Sequence, residues 1–233
     1  VVVPIERVED QGDRVRVPET AAGTNIRPAG DDVRRGDLVI PDGTPIGPAE
    51  IGMLAALGHM SAACARRPRV AIVATGDELR PPGEPLGPGQ IYDSNATALA
   101  ALATRAGADA RIAPRIPDAA DATKAAIEPA ADGADVLCIT GGVSVGPHDH
   151  VKPALTELGF EEQFWRVALK PGKPLWFGVR DGQYAFGLPG NPASALVTFQ
   201  LFARPALRAL QGADPSQARS IAVLDGPVKA EPS

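Results

Sequence analysis

The chain has 233 residues, more than one typical domain but short for two full ones. It is 44% hydrophobic and only 4% aromatic, enough for a sizeable core built from Ala, Val, Leu and Ile. The formal net charge is −5, and no run of Lys or Arg exceeds two residues, which argues against a nucleic-acid groove or an anionic membrane surface.

No apolar run approaches membrane-spanning length and no signal peptide is visible, so a cytoplasmic protein without membrane association is expected. Cys64 and Cys138 lie far apart and read as reduced core thiols, not as a bridge or a zinc pair. Val1 falls inside an apolar segment with no initiator Met, so the chain is expected to be a piece of a longer protein.

Residues 1–47 are rich in Val, Pro, Gly and Asp, with short alternating runs at Val15-Arg16-Val17 and Leu38-Val39-Ile40. They read as β-strands joined by tight turns, Asp42-Gly43 being a hairpin signal. Pro48 to Leu57 reads as a short helix stopped by Gly58. From Arg69 the pattern changes to strands alternating with helices. Val70–Ala74 is a buried strand ending in Thr75-Gly76-Asp77-Glu78-Leu79, followed by a Pro/Gly-rich loop over 81–89. Leu99, Leu102, Ala103 and Ala106 recur at helical spacing behind an Asp93 or Ser94 cap. Residues 110–114 supply a second strand, and Pro117-Asp118 opens a helix running to about Ala131.

The third strand, Val136 to Ile139, runs into Thr140-Gly141-Gly142, with Ser144 and Asp149 close behind and a helix from His150 to Leu158. A strand that ends in glycines, a hydroxyl and an acid is how open α/β sheets build ligand sites. The plainer reading is a strand-to-helix turn with Asp149 as N-cap. Farther on come Arg166, the loop Lys170-Pro171-Gly172-Lys173-Pro174, and a hairpin of 175–179 with 184–188 around Asp181-Gly182. Pro189-Gly190-Asn191-Pro192-Ala193-Ser194 then opens a helix, with Asn191 as cap and a bend at Pro205. Its apolar face is expected to be Leu196, Phe199, Ala203, Leu207 and Leu210, and its free N–H groups with Ser194 an anion site. A new strand is expected from Arg219.

This rhythm implies a doubly wound, mostly parallel α/β sheet over 48–212. A partial β-rich domain and linker precede it over 1–47, and the truncated start of a further β-domain follows over 213–233. The spacing of Gly141, Gly142 and Gly146 gives no dinucleotide fingerprint, and no Walker A loop, nucleophile elbow or metalloprotease histidine pair occurs. Neighbouring residues rarely point at one ion, so His148-Asp149-His150 is not read as a transition-metal site. Acids follow three strands at Asp77, Glu78, Asp118 and Asp149. Beside the fixed cations Arg166, Lys170 and Lys173 they suit a phosphorylated ligand whose charge is shared with Mg²⁺.

Four motifs in order resemble the signature runs of the MoeA family of molybdopterin molybdenumtransferases, which includes the carboxyl-terminal part of gephyrin. They are Thr75–Leu79, Gly141–Gly146, Lys170–Pro174 and Gly187–Ser194, and the likeness extends from about Gly30 to Gly212. The resemblance implies hydrolysis of adenylylated molybdopterin, release of AMP and insertion of molybdate between the dithiolene sulfurs. It places functional acids at Asp32, Glu78, Asp118 and Asp149, with Glu78 and Asp149 holding Mg²⁺. It places substrate-binding groups at Thr75, Gly76, Asp77, Gly141, Gly142, Ser144, Arg166, Lys170, Lys173, Pro189, Pro192 and Ser194. The family often carries Lys where this chain has Arg166. The resemblance further implies a homodimer that completes each site, which would let Asp32 serve the partner. Functional partners would be a MogA-type adenylyltransferase and acceptor molybdoenzymes. The family's amino-terminal domain is expected to be missing, which puts turnover by this chain alone in question. A gephyrin-like binding scaffold and a CinA-like nucleotide hydrolase are the competing readings.

Overall fold

A computed structural model describes residues 1–117, 119–143, 149–216, 220, 221, 223, 225 and 226. Asp118, Ser144 and Arg219 lie outside the described residues. The chain divides into two compact units, Val1–Thr44 and Pro45–Ser233.

In the first unit a 3₁₀ turn at Ile5–Arg7 leads into β1 (Glu9–Asp10), which pairs antiparallel with β2 (Val15–Arg16). Arg27 pairs with Asp31 and Asp32, all three exposed. Leu38-Val39-Ile40 forms no strand, contrary to its alternation. It lies between two closed turns, Asp37 N–H to Arg34 O and Thr44 N–H to Pro41 O, and Leu38 is 80% exposed. Three apolar residues with no neighbouring strand have nothing to pair with, and Asp42-Gly43 is accordingly a turn without a hairpin.

The second unit opens with α1 (Pro48–Ala56), Pro48 in its first turn and Gly58 beyond its end, as expected. The sheet that follows has the order β6-β3-β7-β10-β9-β8. Here β3 is Arg69–Ala74, β6 Asp109–Ile112, β7 Val136–Thr140, β8 Glu161–Trp165, β9 Trp176–Arg180 and β10 Gln183–Leu188. β6, β3, β7 and β10 run parallel, while β9 and β8 add an antiparallel edge through the turn at Asp181-Gly182. A two-stranded ribbon, β4 (Leu79–Arg80) with β5 (Ile91–Tyr92), closes the base of the Pro/Gly-rich loop.

Helices cover both faces, and the alternation along β3 sets which side chain goes where. Ala71 and Val73 face a cluster with Ile127 of α3 (Ala120–Ala131) and Leu155 of α4 (Val151–Glu157). Val70, Ile72 and Ala74 face Leu99 of α2 (Ser94–Arg105) and the carboxyl-terminal helix, with Phe199 and Leu207. Asp93 caps α2, accepting from the Ala96 N–H at 2.9 Å.

The carboxyl-terminal helix shows how Pro205 is accommodated. α5 (Pro192–Thr198) passes through a π-helical turn at Phe199–Ala203 before α6 (Arg204–Leu210), whose first turn holds Pro205. Pro205 has no N–H to offer the carbonyl of Leu201, so the helix widens ahead of it. The buried stripe is then Ala195, Phe199, Ala203 and Leu207, and Leu196 and Leu210 are each 37% exposed. With buried positions every four residues, Leu196, one past Ala195, and Leu210, three past Leu207, fall on the margin. Cys138 is buried in β7, whereas Cys64 is exposed in the segment before β3, so only one of the two is a core thiol.

Candidate functional site

The connections place the site. From β3 the chain crosses to β6 on one side and then returns to β7 on the other, so strand order reverses between β3 and β7. At such a switch point the loops beyond the two carboxyl ends diverge and leave a crevice. A cleft of about 260 Å³ lies there, lined among others by Thr75, Gly76, Glu78, Gly141, Gly142 and Asp149. Pro192, Asn95, Tyr92, Asp93, Thr140 and Gly190 also line it.

The glycines are needed for contact, not only for flexibility. Gly141 has φ 92°, and a Cβ there would stand 2.7 Å from Thr75 Oγ1 and 2.8 Å from its carbonyl oxygen. A Cβ on Gly76 would meet the Glu78 carboxylate at 2.7 Å. Small residues therefore let two strand ends close together while a carboxylate folds over the first of them. Arg115 supports this turn, donating from Nη1 to the Gly76 carbonyl at 2.6 Å and lying 3.9 Å from Asp77.

Thr75 is the unusual member. It is 7% exposed, and its hydroxyl has no hydrogen-bond partner among the described residues. A buried hydroxyl left unpaired costs about 1–3 kcal/mol, which a bound ligand group would relieve.

The expected site residues separate into two groups. Thr75, Gly76, Glu78, Gly141, Gly142, Asp149 and Pro192 share the cleft. Asp77, Pro189, Ser194, Arg166, Lys170 and Lys173 are not among its lining residues. Pro189 is buried below it, accepting from the Thr140 hydroxyl at 3.1 Å. Ser194 is buried at the start of α5, and its N–H is taken by Asn191 Oδ1 at 3.3 Å, so this expected anion donor is already engaged. Asp149 is not the helix cap: His150 holds that position, with no side-chain hydrogen bond. Asp32 belongs to the first unit.

The three cations are exposed, on a loop anchored to elements that frame the cleft. Gly172 is packed so closely on α5 that a Cβ would lie 2.6 Å from Thr198 Cγ2. Arg166 lies with its guanidinium 4.3 Å from the centre of the Trp165 ring, and Trp165 Nε1 donates to the carbonyl of Val143 at 3.3 Å. Lys152 stands over the same ring at 3.8 Å and pairs with Glu162 at 3.0 Å. Burial works against ionisation of Glu162, but hydrogen bonds from Lys152 and Trp176 hold its carboxyl below the usual range. Trp165 thus orders two cations at once.

Sequence reasoning did not single out Asn95 or Tyr92, and it quoted Thr140 and Gly190 within their runs without giving them a role in the site. An asparagine in the first turn of a helix, after a capping Asp93, looks like ordinary helix chemistry until its partners in space are known. Glu78 and Asp149 offer oxygen donors only, which fits a hard cation such as Mg²⁺ bound through two carboxylates with ligand phosphates completing its shell. Among the described residues no cluster of three or more His, Cys, Asp or Glu is present.

Comparison with known proteins identifies the family. Residues 71–209 match the model of the probable molybdopterin binding domain, and residues 1–58 that of the MoeA N-terminal region (domain I and II). A molybdopterin molybdenumtransferase of Haemophilus influenzae is 40% identical over 188 residues, 81% of this chain and 46% of that protein. Molybdopterin molybdenumtransferase 1 of Mycobacterium tuberculosis is 38% identical over 210 residues, 89% of this chain and 49% of that protein. The crystal structure of the molybdopterin biosynthesis MoeA protein from Pyrococcus horikoshii superposes with a TM-score of 0.70 at 32% identity, covering 91% of this chain and 53% of that one. The chain therefore spans about half the length of the curated relatives it matches. With the domain model covering most of its length, and the MoeA N-terminal region ahead of it, the chain belongs to the MoeA family of molybdopterin-binding proteins.

Proposed function

We propose that the switch-point cleft binds adenylylated molybdopterin and that the protein inserts molybdate into it with release of AMP, in molybdenum-cofactor biosynthesis. The observation that carries this reading is the unpaired Thr75 hydroxyl, buried beside a glycine cradle and lining one cleft with Glu78 and Asp149. Relatives whose names state this transferase activity support it.

Water attacks the phosphoanhydride and AMP leaves, the two phosphates sharing the oxygen and protons of that water. The two dithiolene thiols then form two Mo–S bonds with molybdate, one of whose oxygens leaves as water with the two thiol protons. Glu78 and Asp149 would hold Mg²⁺, which supplies charge neutralisation on the anhydride when bound. In the chain itself, a carboxylate of this pair orients and deprotonates the attacking water, and the Thr75 hydroxyl holds a ligand oxygen. Arg166, Lys170 and Lys173 attract the oxyanion, with Pro189, Pro192 and Ser194 shaping the wall beside them. Asp77 supports the turn carrying Glu78. Asp32, Asp118 and Ser144 join the site by resemblance, Asp32 from either protomer of a homodimer. The cleft domain would be residues 48–212, between a partial β-domain over 1–47 and the start of another over 213–233. A MogA-type adenylyltransferase would supply the substrate and an acceptor molybdoenzyme receive the product, in the cytoplasm.

The test is molybdate-dependent release of AMP from adenylylated molybdopterin, in the unaltered chain and in Glu78→Ala. Loss of a general base should lower the rate by about a hundredfold or more. Tight binding with no release in the unaltered chain would favour a scaffold over an enzyme. Equal rates in both proteins would refute the role given to Glu78.

A further inference from the structure

Asn95 sits in the first turn of α2, lines the cleft, and ties together two other elements. Its Nδ2 donates to Thr140 Oγ1 at 3.0 Å, at the end of β7, and to the Gly190 carbonyl at 2.8 Å, ahead of α5. These partners dictate which way the amide points. The Thr140 hydroxyl gives its one proton to the Pro189 carbonyl at 3.1 Å, so it presents only a lone pair to Asn95. The Gly190 carbonyl is likewise an acceptor. Both neighbours require the NH₂ end, and a flipped amide would set its oxygen against two acceptors. The carbonyl oxygen, Oδ1, is therefore the group left over, and it accepts no hydrogen bond from the described residues.

The wall around Asn95 is rich in acceptors. Glu78 and Asp149 contribute carboxylates, and among the described lining residues none is Lys or Arg. The Thr75 hydroxyl, buried and unpaired, independently indicates a wall shaped for a ligand. A molecule that pairs with Asn95 Oδ1 must bring an N–H or O–H hydrogen to that side.

We infer that Asn95 is a specificity-determining residue whose Oδ1 accepts a hydrogen bond from an N–H or O–H of the bound substrate. The inference rests on the proposed substrate. Its nucleotide half carries ribose hydroxyls and an adenine amino group, and its pterin half an amino group and ring N–H. The relay through Thr140 and Pro189 holds the acceptor in place before the ligand arrives, so no reorientation accompanies binding. Asn95 is half-buried, and an acceptor held in place toward a ligand hydrogen discriminates against an analogue that lacks that hydrogen, because the hydrogen bond is then lost.

Titration calorimetry on the whole chain tests this with two families of probe. AMP is compared with 2′-deoxy-AMP, 3′-deoxy-AMP and purine riboside 5′-monophosphate, and pterin with lumazine, which lacks the amino group. One analogue should bind about tenfold more weakly than its parent, and the analogue that does so identifies the donor. In Asn95→Ala the parent should fall to the level of that analogue, so that the ratio between them approaches one. A purely structural role would weaken parent and analogue together and leave the ratio unchanged, which overturns the inference. Should Asn95→Ala fail to fold, Thr140→Val keeps the shape of the neighbour while releasing the amide, and the same ratio should shrink. Parents and analogues that all bind within about twofold on the unaltered chain also overturn it, while leaving the proposed function standing. Failure of both AMP and pterin to bind would overturn the function and the inference together.

Discussion

Thr75→Val separates stability from binding at one atom. The two side chains have nearly the same shape, so the exchange removes a hydroxyl and little else. Thr75 is 7% exposed and its Oγ1 is unpaired among the described residues, beside Gly141 and Gly142. Its burial without a partner costs about 1–3 kcal/mol, and the smaller figure suits an atom at a cleft wall. Removing it should stabilise the ligand-free protein by about 1 kcal/mol, a rise of roughly 2–4 °C in Tm for a unit of this size. The same change deletes a hydrogen bond to the ligand, so affinity for AMP or molybdopterin should fall by about tenfold. Thermal unfolding by circular dichroism, with and without ligand, reads both effects: the variant starts higher and gains less. A variant that melts lower than the parent without ligand would show that the hydroxyl has a partner in solution. A variant that melts higher and binds as tightly would show that the hydroxyl meets no ligand. Either result refutes the argument.

Gly141→Ala should destabilise by about 2 kcal/mol, because φ is 92° and the added Cβ would meet Thr75 backbone and side chain; urea unfolding measures it. A loss under about 0.5 kcal/mol would mean that the two strand ends are not held so close. Asp135 provides the acid sensitivity. Its carboxylate receives Arg66 at 2.6 and 2.7 Å and the Arg69 N–H at 2.7 Å. The Arg66 hydrogen bonds, with help from Arg69 and against the effect of burial, lower its pKa from 3.8 to about 2. A folded-state pKa below the unfolded one means stability present above pH 3.8 and lost as pH falls through about 2. The contribution is about 1–2 kcal/mol once the exposure of Arg66 is allowed for. Asp135→Asn should flatten the fall in Tm between pH 4 and pH 2, and an unchanged fall would refute the assignment. Burial pushes the Cys138 thiol up to about 12, whereas Cys64 is exposed, so the folded protein should show one thiol to a disulfide reagent at pH 8 and two after unfolding.

How legible the molecule was in its sequence varies with the range of the interaction. Continuous apolar runs at 70–74 and 136–139 named the central strands, since a strand buried on both faces needs no outside information to look apolar. Local rules also narrowed the α2 cap to Asp93 or Ser94, of which Asp93 is the cap, and identified the Asn191-Pro192 helix start and the Asp181-Gly182 turn, because each is settled within a few residues. Leu38–Ile40 failed as a strand because a strand is completed by a neighbour, and the alternation of three residues says nothing about whether one exists. Cys64 failed as a core thiol for the same reason.

The four motifs named the family's residues, but not which of them meet. That was decided by the reversal of strand order between β3 and β7, which brings Glu78 and Asp149 to one cleft and leaves Lys170 and Lys173 off its lining. Asn95 became visible only there, as its meaning depends on Thr140 and Gly190, 45 and 95 positions away along the chain. Covalent order determines helix caps, turns and apolar strands through contacts between near neighbours. Which hydroxyl stays unpaired and which amide oxygen is left over depends on all the neighbours of an atom at once, and these are assembled only by the packing of the whole sheet.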